Sequence, residues 1–141
     1  MIAPESNDVD FSREVLDYVN RTDRVHIVEE DLTPGELKWL YGHMDAFVGV
    51  RMHANIFALA SNVPIVAIAY EPKTAGIMRT IGLSDYVLDI LTLTEFALKQ
   101  KIDELVANRQ SVVAHLKLQQ DRMRKTAQMS ADIIYDYVSA T

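Results

Sequence analysis

Three features of this sequence predict an α/β fold built on a doubly wound parallel sheet. Strand-like and helix-like segments alternate along most of the chain. Residues 65–69, Ile-Val-Ala-Ile-Ala, are apolar at every position. A further apolar run, 46–50, stops abruptly at Arg51 and His53 before apolar residues resume at helical spacing. Alternation of this kind builds βαβ units. A strand apolar on both sides must be covered on both faces, which calls for helices flanking a parallel sheet. The predicted architecture is Rossmann-like, with a helical C-terminus.

The elements follow in order. Asp10 is placed to cap a helix carrying Phe11, Val15, Leu16 and Val19 on one face. Val25-His-Ile-Val28 reads as a short β-branched strand. Thr33, Pro34 and Glu36 then form a helix start: a cap, a proline at the first helical position and a capping-box acid. That helix carries Leu37, Trp39, Leu40 and Tyr41 and ends near Gly42. Ala46–Val50 is the next strand, and a helix runs from about Met52 to Ser61. Asn62-Val-Pro64 turns the chain into the strand at 65–69; Tyr70-Glu-Pro-Lys73 is its exit loop. Thr74 to Ile81 is a short helix stopped by Gly82, and Asp85–Leu88 is a last short strand. From Thr94 the chain is helical, first with Phe96, Ile102, Leu105 and Val106 on one face. After Asn108-Arg-Gln a long helix extends to about Val138.

Right-handed crossovers would wind the first two-thirds into a sheet of about four strands. Ile2-Ala-Pro-Glu5 reads as the end of one more strand and its exit loop. A sheet lacking most of that strand has an open edge. Residues 1–141 therefore read as one domain cut from a longer protein, with a homodimer across the edge or along the last helix as the alternative cover.

Composition narrows the function classes. With 141 residues, 49% apolar and 24% charged, the chain suits a single globular domain. Its net charge of −6 argues against a general nucleic-acid or anionic-membrane role, so any anion site is a local exception. The absence of cysteine excludes disulfides and thiolate metal sites and fits a cytoplasmic location. No apolar run approaches the roughly 20 residues that span a bilayer. The first six residues lack the charged and apolar regions of a signal peptide.

In a parallel sheet the loops after each strand gather on one rim, where open α/β folds bind ligands. Here they supply Pro4-Glu5-Ser6, Glu29-Glu30-Asp31, Arg51-Met52-His53 and Tyr70-Glu71-Pro72-Lys73. Arg51 offers a planar fork for a phosphate or carboxylate. His53 falls in the first helical turn, with an imidazole able to donate or accept a proton near neutrality. Lys73 adds a second positive charge after the neighbouring strand. Each also has a structural reading: a salt-bridge arginine, a helix-start histidine, a solvated lysine. It is the conjunction of Arg51 and His53 at one strand end that favours a site.

His26 reads as a strand residue, and His43 as a cap near a helix C-terminus. His115 has no partner at metal-ligand spacing. Glu29-Glu30-Asp31 reads as a solvated loop. With no metal motif, no glycine-rich phosphate loop of either common type and no serine nucleophile elbow, neither metal nor cofactor is expected.

Several segments carry a more specific signal. Asp45-Ala-Phe-Val-Gly-Val-Arg51-Met52-His53-Ala, Asn62-Val-Pro64-Ile-Val-Ala-Ile-Ala-Tyr70-Glu-Pro-Lys73, Gly76-Ile-Met and Ile81-Gly-Leu83 together resemble the C-terminal half of polysaccharide pyruvyl transferases. The resemblance rests on that family's Arg-Leu-His and Pro-x-x-x-x-x-Tyr-x-x-Lys segments and covers about residues 25–90. Met52 stands where the family has leucine, a mild apolar exchange.

The resemblance implies one half of a two-domain, GT-B-type enzyme that moves the enolpyruvyl group of phosphoenolpyruvate onto a sugar of a cell-surface polysaccharide or its lipid-linked precursor. Carried over, Arg51 holds the phosphate or carboxylate of phosphoenolpyruvate. His53 is the catalytic acid that protonates its methylene carbon. Met52, Tyr70 and Lys73 belong to the substrate-binding segments. The half that would complete the cleft lies outside this chain, so the chain by itself is expected to be inactive or incomplete. Two other readings stand beside it: half of a GT-B glycosyltransferase or sugar epimerase that binds a nucleotide sugar, and a non-catalytic Rossmann-like binding or dimerisation module.

Overall fold

The structure, a computed structural model, describes residues 8–19 and 22–139. Its chain divides into two units, with the boundary between Thr33 and Pro34. The expected strand remnant at Ile2 and the loop Pro4-Glu5-Ser6 lie outside the described residues.

In the first unit α1 spans Asp8–Leu16, and a single 3-10 turn follows at Thr22–Arg24. The helix starts upstream of the predicted cap, so Asp10 lies inside its first turn and pairs with Arg13 at 3.2 Å. Acids in a first turn complement the helix dipole, which accounts for Asp8 and Asp10 together. Arg13 also donates to Glu29 at 2.7 Å, and that hydrogen bond holds the Glu29 carboxyl below the usual carboxylate range. The predicted strand at Val25–Val28 does not form. β-branched residues favour strands where they fit a half-buried pleated surface, and Val25, His26 and Val28 are all exposed.

The second unit contains the sheet. Its order is α2 (Pro34–Gly42), β1 (Phe47–Gly49), α3 (Met52–Ala60), β2 (Ile65–Ala69), α4 (Pro72–Thr80), β3 (Val87–Asp89), α5 (Glu95–Ala107) and α6 (Arg109–Ser139). The three strands are parallel and lie in the order β1-β2-β3. The described sheet thus has three strands, not about four, because 25–28 is not among them. Nor does its order contain the reversal that defines a doubly wound sheet. The coarser expectation holds: a mixed α/β fold with a small parallel sheet and a helical C-terminus.

β2 is the central strand, and Ile65, Val66, Ala67 and Ile68 are all buried, as a strand apolar on both faces must be. β1 is hydrogen-bonded to β2 alone among the described strands, and its Val48 is left 41% exposed. Tyr41 of α2 packs edge-on against Phe47 and parallel to Phe57, joining α2 to β1 and α3. That burial pushes its phenol above the ordinary tyrosine range.

Helices α3 and α4 end alike. Past α3, Asn62 takes φ 59°, Val63 N–H donates to Ala58 O at 3.0 Å, and Asn62 N–H donates to Leu59 O at 3.0 Å. Past α4, Gly82 takes φ 75°, with Leu83 N–H on Met78 O at 2.8 Å and Gly82 N–H on Arg79 O at 3.0 Å. These are two Schellman closures, each burying an apolar pair, Val63 with Ala58 and Leu83 with Met78. They hand the chain to β2 and toward β3 in the same way.

α6 locks the assembly from behind. Val112 and Leu116 are buried in the core. Arg109 donates to the Asp45 carbonyl at 3.0 Å and pairs with its carboxylate at 2.7 Å, fixing the approach to β1. His115 Nε2 donates to the Ile81 carbonyl at 2.6 Å, and Gln120 donates to the Ala60 carbonyl at 2.8 Å. Both bonds satisfy carbonyls at helix ends, which would otherwise be orphaned. Residues 121–139 of the same helix are exposed throughout.

Candidate functional site

Parallel pairing is what assembles the rim. Gly49 stands opposite Ala67, so the chain leaving β1 and the chain leaving β2 emerge from the same end of the sheet. α3 and α4 both begin there. Arg51 is the N-cap of α3, with φ −78° and ψ 128°, and Glu71 is the N-cap of α4, with φ −134° and ψ 150°. Neither residue caps its helix with its side chain. Two helix N-termini at one rim, each with orphan N–H groups and a partial positive charge, favour anions.

The predicted site residues distribute over this rim. Arg51 and His53 are exposed at the start of α3, and Met52 between them is half-buried. Tyr70 is exposed after β2, and Lys73 is exposed in the first turn of α4. Met52 and Lys73 line one open depression of about 480 Å³ between α3 and α4, together with Gly76, Ile77, Thr80 and Met123. Arg51, His53 and Tyr70 are not part of its wall. A second groove of about 280 Å³, between α3, α4 and α6, is lined almost wholly by apolar side chains such as Ile56, Leu59, Ile77 and Leu116. None of Arg51, His53, Tyr70 and Lys73 lines it, although it shares Ile77, Ile81 and Met123 with the first depression.

Under the Arg51–His53 turn sits a residue that sequence reasoning missed. Asn55 is 3% exposed, and neither its Oδ1 nor its Nδ2 has a hydrogen-bond partner. Its backbone N–H closes the first turn of α3 on the Arg51 carbonyl at 3.1 Å. Its side chain fills the space where any residue but glycine at 49 would carry a Cβ: a methyl there would fall on Asn55 Oδ1 and on the Phe47 ring. Gly49 is therefore a close-approach glycine. A glycine inside a strand followed by a polar residue in an apolar helix start was the available signal.

The other titratable candidates have structural roles or none at the rim. His43 Nδ1 donates to the Trp39 carbonyl at 2.7 Å, which is the capping role expected of it. His115 serves α4 as described, and His26 is an exposed residue outside any strand. Glu29 is engaged with Arg13. Among the described residues, no group of three or more His, Asp or Glu could hold a metal ion. None of the described helices is long and apolar enough to cross a membrane.

The class defined by these features is an α/β protein with a parallel sheet and a candidate site for a small anion at its strand ends. A sequence profile of the polysaccharide pyruvyl transferases matches residues 2–72, half of the chain. The chain belongs to that family. The matched segment contains Arg51, Met52, His53 and Tyr70, and Lys73 lies one position beyond it. The amylovoran biosynthesis protein AmsJ of Erwinia amylovora is 28% identical over 96 residues, which are 68% of this chain and 23% of AmsJ. The similar region thus spans less than a quarter of that relative's length. No solved structure matches the chain.

Proposed function

We propose that this chain is the donor-binding part of an enzyme that transfers the enolpyruvyl group of phosphoenolpyruvate to a sugar of a cell-surface polysaccharide or its precursor. The observation that carries this reading is the position of Arg51 and His53, inside the family's matched segment and at the start of α3. In this reading Arg51 clamps the phosphate or carboxylate through its planar fork. His53 gives its proton to the methylene carbon, which becomes a methyl group and leaves an oxocarbenium-like centre at the adjacent carbon. A sugar hydroxyl attacks that centre, phosphate departs, and a second hydroxyl closes the ketal. The two hydroxyl protons balance the new methyl hydrogen and the released phosphate.

Lys73 adds charge on the donor's approach, and Met52 and Tyr70 supply contact surface. The acceptor's contacts belong to a second Rossmann-like half facing this one in a GT-B-type cleft. The reaction belongs in the cytoplasm, at lipid-linked precursors.

The test is phosphate release from phosphoenolpyruvate in the enzyme that carries this chain. His53→Ala should lower the rate by about 10²–10⁴-fold, the usual contribution of a positioned general acid. A rate within threefold of the parent removes His53 from the chemistry. Tighter binding of a nucleotide sugar than of phosphoenolpyruvate would replace the reading by that of a glycosyltransferase or epimerase half.

A further inference from the structure

Asn55 is buried, polar and unpartnered, one helical turn after Arg51, and this combination requires an explanation. Buried amides in folded proteins are nearly always hydrogen-bonded, because leaving them unpaired costs free energy. Cα–Cβ bonds in a helix tilt toward its N-terminus, so a side chain at position 55 leans back beneath the turn that holds Arg51. Its contact at Gly49 shows that it reaches the carboxyl end of β1. There Oδ1 lies against the glycine, close enough for a weak Cα–H contact at most. Nδ2 is left as a strong donor with nothing to donate to. It abuts Gly49, the last residue of β1, from which the chain runs through Arg51 into the helix.

We infer that Asn55 is a positioning residue for the anion corner. When an anion occupies the first turn of α3, the amide NH2 takes up a backbone carbonyl of the Gly49–Arg51 connection and fixes Arg51 and His53 toward the ligand. This inference rests on the proposed binding of phosphoenolpyruvate at that corner. Its thermodynamic basis is linkage. A ligand that favours the arrangement in which the amide is paired gains the free energy that the empty chain forgoes. Gly49 is part of the same device, since a side chain there would displace the amide.

The experiment compares the parent chain with Asn55→Leu, Asn55→Ala and Arg51→Ala, titrating phosphoenolpyruvate by calorimetry and recording thermal melting. Asn55→Leu fills the space without polar atoms, so it should melt at or above the parent yet bind about tenfold more weakly, the worth of one hydrogen bond. Asn55→Ala leaves a cavity and should melt lower, with the same loss of affinity. Affinity loss that does not follow melting temperature supports positioning. Unchanged affinity in both variants, or affinity falling in step with melting, overturns it. If the parent fails to bind phosphoenolpyruvate, or Arg51→Ala binds as the parent does, the functional reading itself falls and takes this inference with it.

Discussion

The starts of α3 and α4 sit side by side on one rim and follow adjacent parallel strands, yet they are built differently. α4 opens with Pro72 at its first position. Proline presets the helical φ and brings no N–H, so one orphan donor is removed and the start is rigid without help. α3 opens with Arg51 and Met52, keeps all its first-turn donors, and carries a buried amide with no partner beneath them. One helix start is complete as it stands. The other keeps its first-turn donors above a buried amide that has no hydrogen-bond partner. That difference is the reason the proposed anion site is assigned to α3, with α4 contributing charge from Lys73.

Substitutions can break or sharpen that contrast. The largest effect is expected at Arg51: Arg51→Ala should weaken phosphoenolpyruvate binding by about a hundredfold, because a charge-assisted hydrogen-bonded clamp is worth about 1.5–3 kcal/mol. An equal loss on Lys73→Ala would show that the two starts share the ligand evenly. Gly49→Ala should destabilise the chain by about 1–3 kcal/mol in chemical denaturation, since its methyl collides with Asn55 and Phe47 in a packed interior. Lys73→Ala should cost at most about 1 kcal/mol of binding, as expected of an exposed point charge. Pro72→Ala should be smallest, lowering stability by about 0.4–1 kcal/mol through the unfolded chain and leaving ligand affinity unchanged. A change in affinity there would contradict the division of roles.

Much of this was legible in the sequence, for reasons that differ by element. β2 was read to the residue, because five consecutive apolar positions between Pro64 and Tyr70 admit one burial pattern. α2 was read through its proline and glycine boundaries, and the ends of α3 and α4 through Asn62 and Gly82. Val25–Val28 misled, because β-branched residues mark a strand only where a ladder and a packing surface exist. The doubly wound order is not seen in the three described strands, since alternation of segments predicts parallel strands but not their sequence across the sheet. At the site, the rim positions of Arg51, His53 and Lys73 followed from topology. Asn55 left only a weak trace, a polar residue in an apolar helix start after a strand glycine, and its lack of a hydrogen-bond partner is visible only in the structure.

α6 carries a consequence of another kind. Its 31 residues extend about 46 Å at 1.5 Å per residue, but the buried anchors Val112 and Leu116 lie in its first third. Beyond residue 120 the backbone bonds are held by helix propensity and by spacing pairs such as Gln128 with Asp132. Stretches of that length are marginal helices in water when nothing packs on them. The helix therefore has two melting regimes: a distal part that frays gradually on warming, and a proximal part that holds until the sheet unfolds with it. Ellipticity at 222 nm would sum the two, so the cooperative transition of this fold is better followed at Trp39 or at the Tyr41 cluster than by total helix content.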